Sequence, residues 1–172
     1  MSVAICSLLW DAARHGPQSV KYDSDGYYLV RFPYGTGDES YDPWRMHDPS
    51  KGGTGPSKFP DARSGLIWPS HDGWGMLSAM VFWEADAKAT EHRSRYVRDP
   101  LNMTTGYDST ATTDAAPTRG GQYRTYLWQM FVHPDTPVAL KVSTRGAGDV
   151  RLRTPLIHAQ FKLAIHTDVK TP

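Results

Sequence analysis

From Ile157 to His166 the chain alternates with a period of two. Ile157, Ala159, Phe161, Leu163 and Ile165 share one parity, while His158, Gln160, Lys162 and His166 share the other. Successive side chains of a strand point to opposite faces, so this pattern predicts a strand with one buried face and does not suit a helix. Glycine and proline push the same way. The 172 residues include 15 Gly and 13 Pro, a share well above the usual one, and both residues are costly inside helices. A helical bundle is therefore disfavoured, and a turn-rich β domain is expected. The hydrophobic fraction of 39% is low, but 12% aromatic content argues against disorder.

Further strands are predicted along the chain. Val20–Tyr22 and Tyr27–Phe32 flank Asp23-Ser24-Asp25-Gly26 and are expected to form a hairpin. The same four residues resemble the start of a calcium loop but lack the distal Glu. Residues 35 to 64 are polar and rich in Gly, Pro and Ser, which predicts a loop. Leu66-Ile67-Trp68 forms a short strand stopped by Pro69. Met76 to Glu84 is a strand apolar on both faces, with Met76, Met80 and Phe82 on one and Leu77, Ala79, Val81 and Trp83 on the other. A strand of this kind is covered on both sides. Arg93 to Val97 is expected to be a strand with charges facing water, and residues 102 to 121 a second long polar loop. Tyr123 to Val132, Val138 to Val142 and Val150 to Leu152 complete the set, Tyr123, Leu127 and Phe131 sharing one face of their strand. Residues 3 to 13 fit either a helical stripe or a first strand, and strand is preferred. The expected fold class is all-β: a jelly-roll sandwich of about seven to nine antiparallel strands with long polar loops.

The formal net charge is +1, which disfavours a protein driven by phosphate contacts to nucleic acid. Cys6 is the sole cysteine, so neither an intrachain disulfide nor a cysteine-based zinc cluster is available. A small buried hydrophobe is its expected role. No run of about 18 apolar residues is present to span a bilayer. No cationic stretch followed by an apolar core marks a secretory signal, so a chain made in a reducing cytoplasm is expected.

The run from Tyr41 to Val97 resembles the jelly-roll domain shared by tumour necrosis factor, the complement globular heads and many phage tail and head proteins. The resemblance is carried by Tyr41-Asp42-x-x-x-Met46-His47-Asp48, Leu66-Ile67-Trp68-Pro69, the turn residue Gly73, the strand Leu77–Trp83 and a basic strand at Arg93 or Arg95. His133-Pro134-Asp135-Thr136-Pro137-Val138 then stands where the family has a turn before a strand, and Ala159-x-Phe161-x-Leu163 fits the closing strand. The resemblance covers residues 18 to 166. Gly75 stands where the family places an aromatic residue, and Trp74 is expected to take over its packing.

The resemblance implies a trimer, with aromatic strands packed about a threefold axis. Trp83, Tyr126, Trp128 and Met130 are then the expected subunit interface, and Trp44 and Trp74 the expected partner or receptor surface. Residues 1–17 form an N-terminal arm or first strand, with Ile5, Leu8, Leu9 and Trp10 available for docking, ahead of a sandwich domain at 18–172. The expected function is that of a bacteriophage virion structural protein, first a minor tail or tail-tip component, next a head decoration or collar protein. Its partners are copies of itself and other virion proteins. A rival is a carbohydrate-binding module for a host surface glycan, because exposed Trp and Tyr stack on sugar rings. An enzyme is not expected. His47-Asp48 and His71-Asp72 are the most enzyme-like pairs, yet adjacent strand residues face opposite ways. No cofactor or metal is predicted. Asp108 and Asp114 are read as solvated loop residues. Lys51, Lys58, Arg63, Arg93, Arg95 and Arg98 are read as a solvated or assembly-facing surface.

Overall fold

The computed structural model describes residues 2–22, 26–35, 37, 40–103, 108–147 and 153–167. The strands are β1 (Val3–Asp11), β2 (Gln18–Lys21), β3 (Tyr28–Leu29), β4 (Gly73–Trp83), β5 (Ala89–Arg98), β6 (Asp108–Ala115), β7 (Gln122–Val132), β8 (Val138–Gly146) and β9 (Arg153–His166). One sheet runs β1-β9-β4-β7, with β2 also on β9; the other runs β3-β8-β5-β6. Every strand pairing is antiparallel. This is the expected jelly-roll sandwich.

The alternation in sequence becomes the layering of the molecule. Ala4, Cys6, Leu8 and Trp10 of β1 are buried, as are Leu77, Ala79, Val81 and Trp83 of β4 and Ala159, Phe161, Leu163 and Ile165 of β9. They meet Val138, Leu140 and Val142 of β8 across the core. Phe161 lies between Phe32 and Tyr96, with ring centroids 6.2 and 5.9 Å away. The Tyr96 hydroxyl donates to the Tyr126 carbonyl at 2.7 Å, tying β5 of one sheet to β7 of the other. Trp83 and His92 stack across the sandwich, 4.1 Å apart and nearly parallel.

Residues 3 to 13 resolve as strand followed by one helical turn, α1 (Ala12–His15), and do not form a detached arm. Asp11 ends β1 and caps that turn, its carboxylate accepting from the Ala13 amide at 2.7 Å. Gly16, at φ 78°, closes it. The chain then resumes as β2 along the same neighbour, β9.

Several expectations need correction. The segments around Val20 and Tyr28 do not make a hairpin: β2 pairs with β9 and β3 with β8, in opposite sheets. Asp23, Ser24 and Asp25, and with them the calcium-loop reading, lie outside the described residues, as do Val150 and Leu152. The second polar loop contains β6. Its sequence, Asp-Ser-Thr-Ala-Thr-Thr-Asp-Ala, carries little apolar signal because β6 ends its sheet and pairs on one side only. Alternation in β9 slips at a bulge opposite Phe82 and Trp83, so Leu156 rather than Ile157 turns inward. Trp74 faces outward. The inward place at Gly75 is taken by Val132 and Leu163, whose methyl groups lie 2.8 and 3.2 Å from where a Cβ would stand.

The long loop at 35–64 is anchored by its own polar groups. The Asp42 carboxylate accepts from the amides of Met46 at 2.9 Å and His47 at 2.7 Å. That turn drops Met46 and His47 into the interior. The spacing Asp42-x-x-x-Met46-His47 is thus a local hydrogen-bonding device. Ile67 makes a single two-bond bridge to Val138.

Two measurements check this packing. A Cβ at Gly73 would lie 2.5 Å from the His166 carbonyl oxygen, which is backbone and cannot swing aside. Gly73→Ala is expected to cost about 1–3 kcal/mol and lower Tm by roughly 3–10 °C in a circular-dichroism melt. Gly55→Ala, in open space, is the neutral control. The second concerns acid. Burial, with Arg124 adding, lowers His92 from 6.5 to about 4 against the opposing Asp86. Burial also lowers His47. The native state therefore refuses protons that the unfolded chain accepts. Stability is full above pH 6.5 and falls as pH drops toward 4, by up to about 1.4 kcal/mol per pH unit for each imidazole. His92→Phe keeps the ring stack and removes the titration, so its Tm is expected to fall less between pH 7 and pH 5 than that of the parent.

Candidate functional site

The parity that fills the core leaves the opposite parity on the outside of the β1-β9-β4-β7 sheet. There the register lines up Val3, His166, Trp74 and Phe131 in one row across four strands. Ile5, Ala164, Met76 and Gln129 form the next, and Ser7, Lys162, Ser78 and Leu127 the third. Leu127 is 74% exposed, Tyr123 60%, Met76 44% and Trp74 42%. Ile5 and Phe131 are also exposed. Solvated strand faces normally carry polar residues, and here His166, Gln129, Ser7, Lys162 and Ser78 are interspersed with large exposed apolar side chains, which makes this face a candidate contact surface.

The face has a concave part. A depression of about 740 Å³ is lined by Ile5, Met76, Leu127 and Ala164, with Ser78, Gln129 and Lys162 supplying polar groups. The Trp74 indole donates to the Gln129 side-chain oxygen at 2.8 Å, so its polar edge is satisfied and its ring lies on the sheet. Phe82 and Tyr123 pack with centroids 4.6 Å apart at another part of the face. Long side chains held by neighbours lose little freedom when another surface covers them.

The residues expected at a subunit interface divide. Trp83, Tyr126 and Met130 are buried within the sandwich and are not available to a second chain. Trp128 shares their parity on β7 but stays 42% exposed, at the strand that ends this sheet. The outward side of β7 is the one carrying Tyr123, Leu127 and Phe131. Of the docking residues, Leu8 and Trp10 are core, and Ile5 and Leu9 sit on the outward parity of β1. Trp74 belongs to the apolar face itself. Trp44 is exposed in the long loop, on the turn that Asp42 organises.

The enzyme-like pairs come apart. The His47 ring stacks on Tyr34 at 4.4 Å, and its Nε2 bonds the Ser64 carbonyl at 2.9 Å. Asp48 turns to Ser50 and Arg45 instead, and these hold its carboxyl below the usual range. His71 contacts Ser70, and Asp72 pairs with the distant His133 at 2.8 Å on the exposed surface. Cys6 is buried, and burial pushes its thiol up, so it behaves as a core residue. Among the described residues no group of three or more His, Cys, Asp or Glu is placed to hold a metal ion. Asp114 lies 3.4 Å from Arg93. Arg93 also meets Glu91, Arg95 covers the Tyr27 ring, and Arg63 donates to carbonyls of its own loop, so these cations do not form one patch. Among the described residues no helix is long and apolar enough to cross a membrane.

Sequence patterning could have located the outward face, since Met76, Met80 and Phe82 were visible as a second apolar parity. What it missed was the pairing that sets Ile5, Ala164 and Leu127 beside them.

No protein-family model matches the chain, and no curated protein matches it. Solved structures do match. The globular domain of zebrafish complement 1qA protein aligns with a TM-score of 0.58 at 10% identity, covering 95% of this chain and 97% of that one. Murine APRIL aligns at 0.54 and 9% identity, covering 96% and 100%. Eiger TNF from S. frugiperda aligns at 0.51 and 12% identity, covering 100% and 98%. Identities this low speak for architecture alone. The chain has the jelly-roll fold of tumour-necrosis-factor and complement-globular-head domains.

Proposed function

We propose that this chain is a structural subunit that acts by self-assembly, closing into a homotrimer through the outer face of the β1-β9-β4-β7 sheet. The observation that carries the reading is the exposed apolar run over Ile5, Trp74, Met76, Leu127 and Phe131. A threefold contact is heterologous: this face of one copy meets a different surface of the next, and three such contacts close the ring. Covering it removes apolar area from water at about 25 cal/mol per Å². The near-zero net charge leaves little long-range repulsion between copies.

The particle we assign it to is a bacteriophage virion, as a minor tail or tail-tip component, with head decoration as the other location. That assignment is supported by the likeness of the Tyr41–Asp48 and Leu66–Pro69 segments to phage jelly-roll proteins. Adhesion and packing, and not catalysis, are its mode of action.

Sedimentation at micromolar concentration is expected to give three times the 19.2 kDa chain mass. Leu127→Glu combined with Met76→Lys places opposite charges within one copy, so folding survives while the apolar contact is lost. A monomer with an unchanged circular-dichroism spectrum is the expected result; a persisting trimer, or a monomeric parent, overturns the reading. Antibody against the chain is expected to label the tail of purified particles.

A further inference from the structure

A second cavity, of about 300 Å³, lies away from the apolar face, between β2 of one sheet and β3 of the other. His15, Gln18, Tyr28, Arg31 and Phe59 contribute to its wall. Its size is at the lower end of small-molecule sites, roughly 300–1,000 Å³. Two basic side chains line it, and no Asp or Glu is among the described residues around it. The Arg31 Nε is buried and has no hydrogen-bond partner. A guanidinium donor left unmatched beside a cavity is costly unless something accepts from it.

The wall is held in place. The Gln18 amide acts as a substitute strand for Arg31: its Nε2 donates to the Arg31 carbonyl at 2.8 Å, and its Oε1 accepts from the Arg31 amide at 2.9 Å. His15 packs edge-on against Phe59, with centroids 5.7 Å apart, and its Nδ1 contacts the Asp11 carbonyl at 3.2 Å. Phe59 and Tyr28 pack against the core while remaining partly exposed. The cavity thus combines the side chain of Arg31, whose main chain Gln18 fixes, with aromatic walls.

We propose that this pocket binds a small organic carboxylate of sugar size, its carboxylate on Arg31 and its ring against Phe59 and Tyr28. Guanidinium and carboxylate match in a two-bonded fork, which a neutral sugar cannot offer. Aromatic walls favour the apolar face of a pyranose ring. None of these wall residues is among those that carry the proposed assembling face.

The test is an amide NMR titration of the full chain with sodium glucuronate, with glucose and inorganic phosphate as separate arms. Saturable shifts confined to residues 15–20, 28–31 and 59–60 are expected with glucuronate, and weaker or no shifts with glucose and phosphate. Arg31→Gln is expected to weaken glucuronate binding about tenfold or more, and Arg31→Lys, which keeps the charge but loses the fork, by less. Spectral dispersion verifies that each variant is folded; if Arg31→Gln misfolds, Arg31→Lys and Phe59→Leu decide, each expected to weaken binding. Three results overturn the proposal: no saturable shift up to about 50 mM, well beyond the millimolar range of weak sites; glucose binding as tightly as glucuronate; or phosphate giving the same shifts at the same affinity.

Discussion

Strand β9 is hydrogen-bonded along both edges, to β1 and β2 on one side and β4 on the other. Most of the molecule follows from that. With both edges paired, its inward residues stand in the middle of the core, and its outward residues in the middle of the sheet's exposed face. Phe161 meets Phe32 and Tyr96 on one side. Lys162 and Ala164 occupy the other, in line with Ser78 and Met76. A slip of one residue would exchange the two sets, so core burial and surface chemistry are set by one register. The bulge opposite Phe82 and Trp83 absorbs the mismatch at the end of the strand, where Leu156 replaces Ile157 in the interior.

The two faces of β4 do different work for the same reason. Leu77, Ala79, Val81 and Trp83 close the sandwich, while Trp74, Met76, Met80 and Phe82 stand outside it. A lone soluble sandwich gains nothing from a row of methionine and tryptophan facing water. The proposed contact with other copies would give that row a physical reason. The other cavity has a different character: His15, Arg31 and aromatic side chains, beside a Gln18 side chain of β2 that bonds the Arg31 main chain just after β3.

Legibility in sequence followed the range of the interactions. β4, β7, β8 and β9 could be recognised because each is long, and its inward residues are apolar whatever strand lies beside it. The Asp42 turn was visible as a spacing, although only the hydrogen bonds to the Met46 and His47 amides explain it. β6 was missed because a strand at the end of a sheet needs few apolar residues. The hairpin expected at residues 20–32 failed because turn chemistry is local, whereas β2 and β3 are bound by β9 and β8, more than a hundred residues onward. Parity separates neighbours on β7: Tyr126 and Met130 point inward, while Leu127 between them is the most exposed large apolar side chain among the described residues.

By itself the sequence determined the β class, the sandwich, the positions of its long strands and the second apolar parity on β4. These depend on period-two patterning and on glycine and proline, which act within a few residues. Only the tertiary structure decided that residues 3 to 11 belong to the sheet and that Trp83 and Trp10 are core. It alone aligned Ile5, Ala164, Met76 and Leu127 on one surface and brought Gln18 to Arg31. Each of these depends on which strands pair and in which register, and that is settled by packing between segments far apart in the chain.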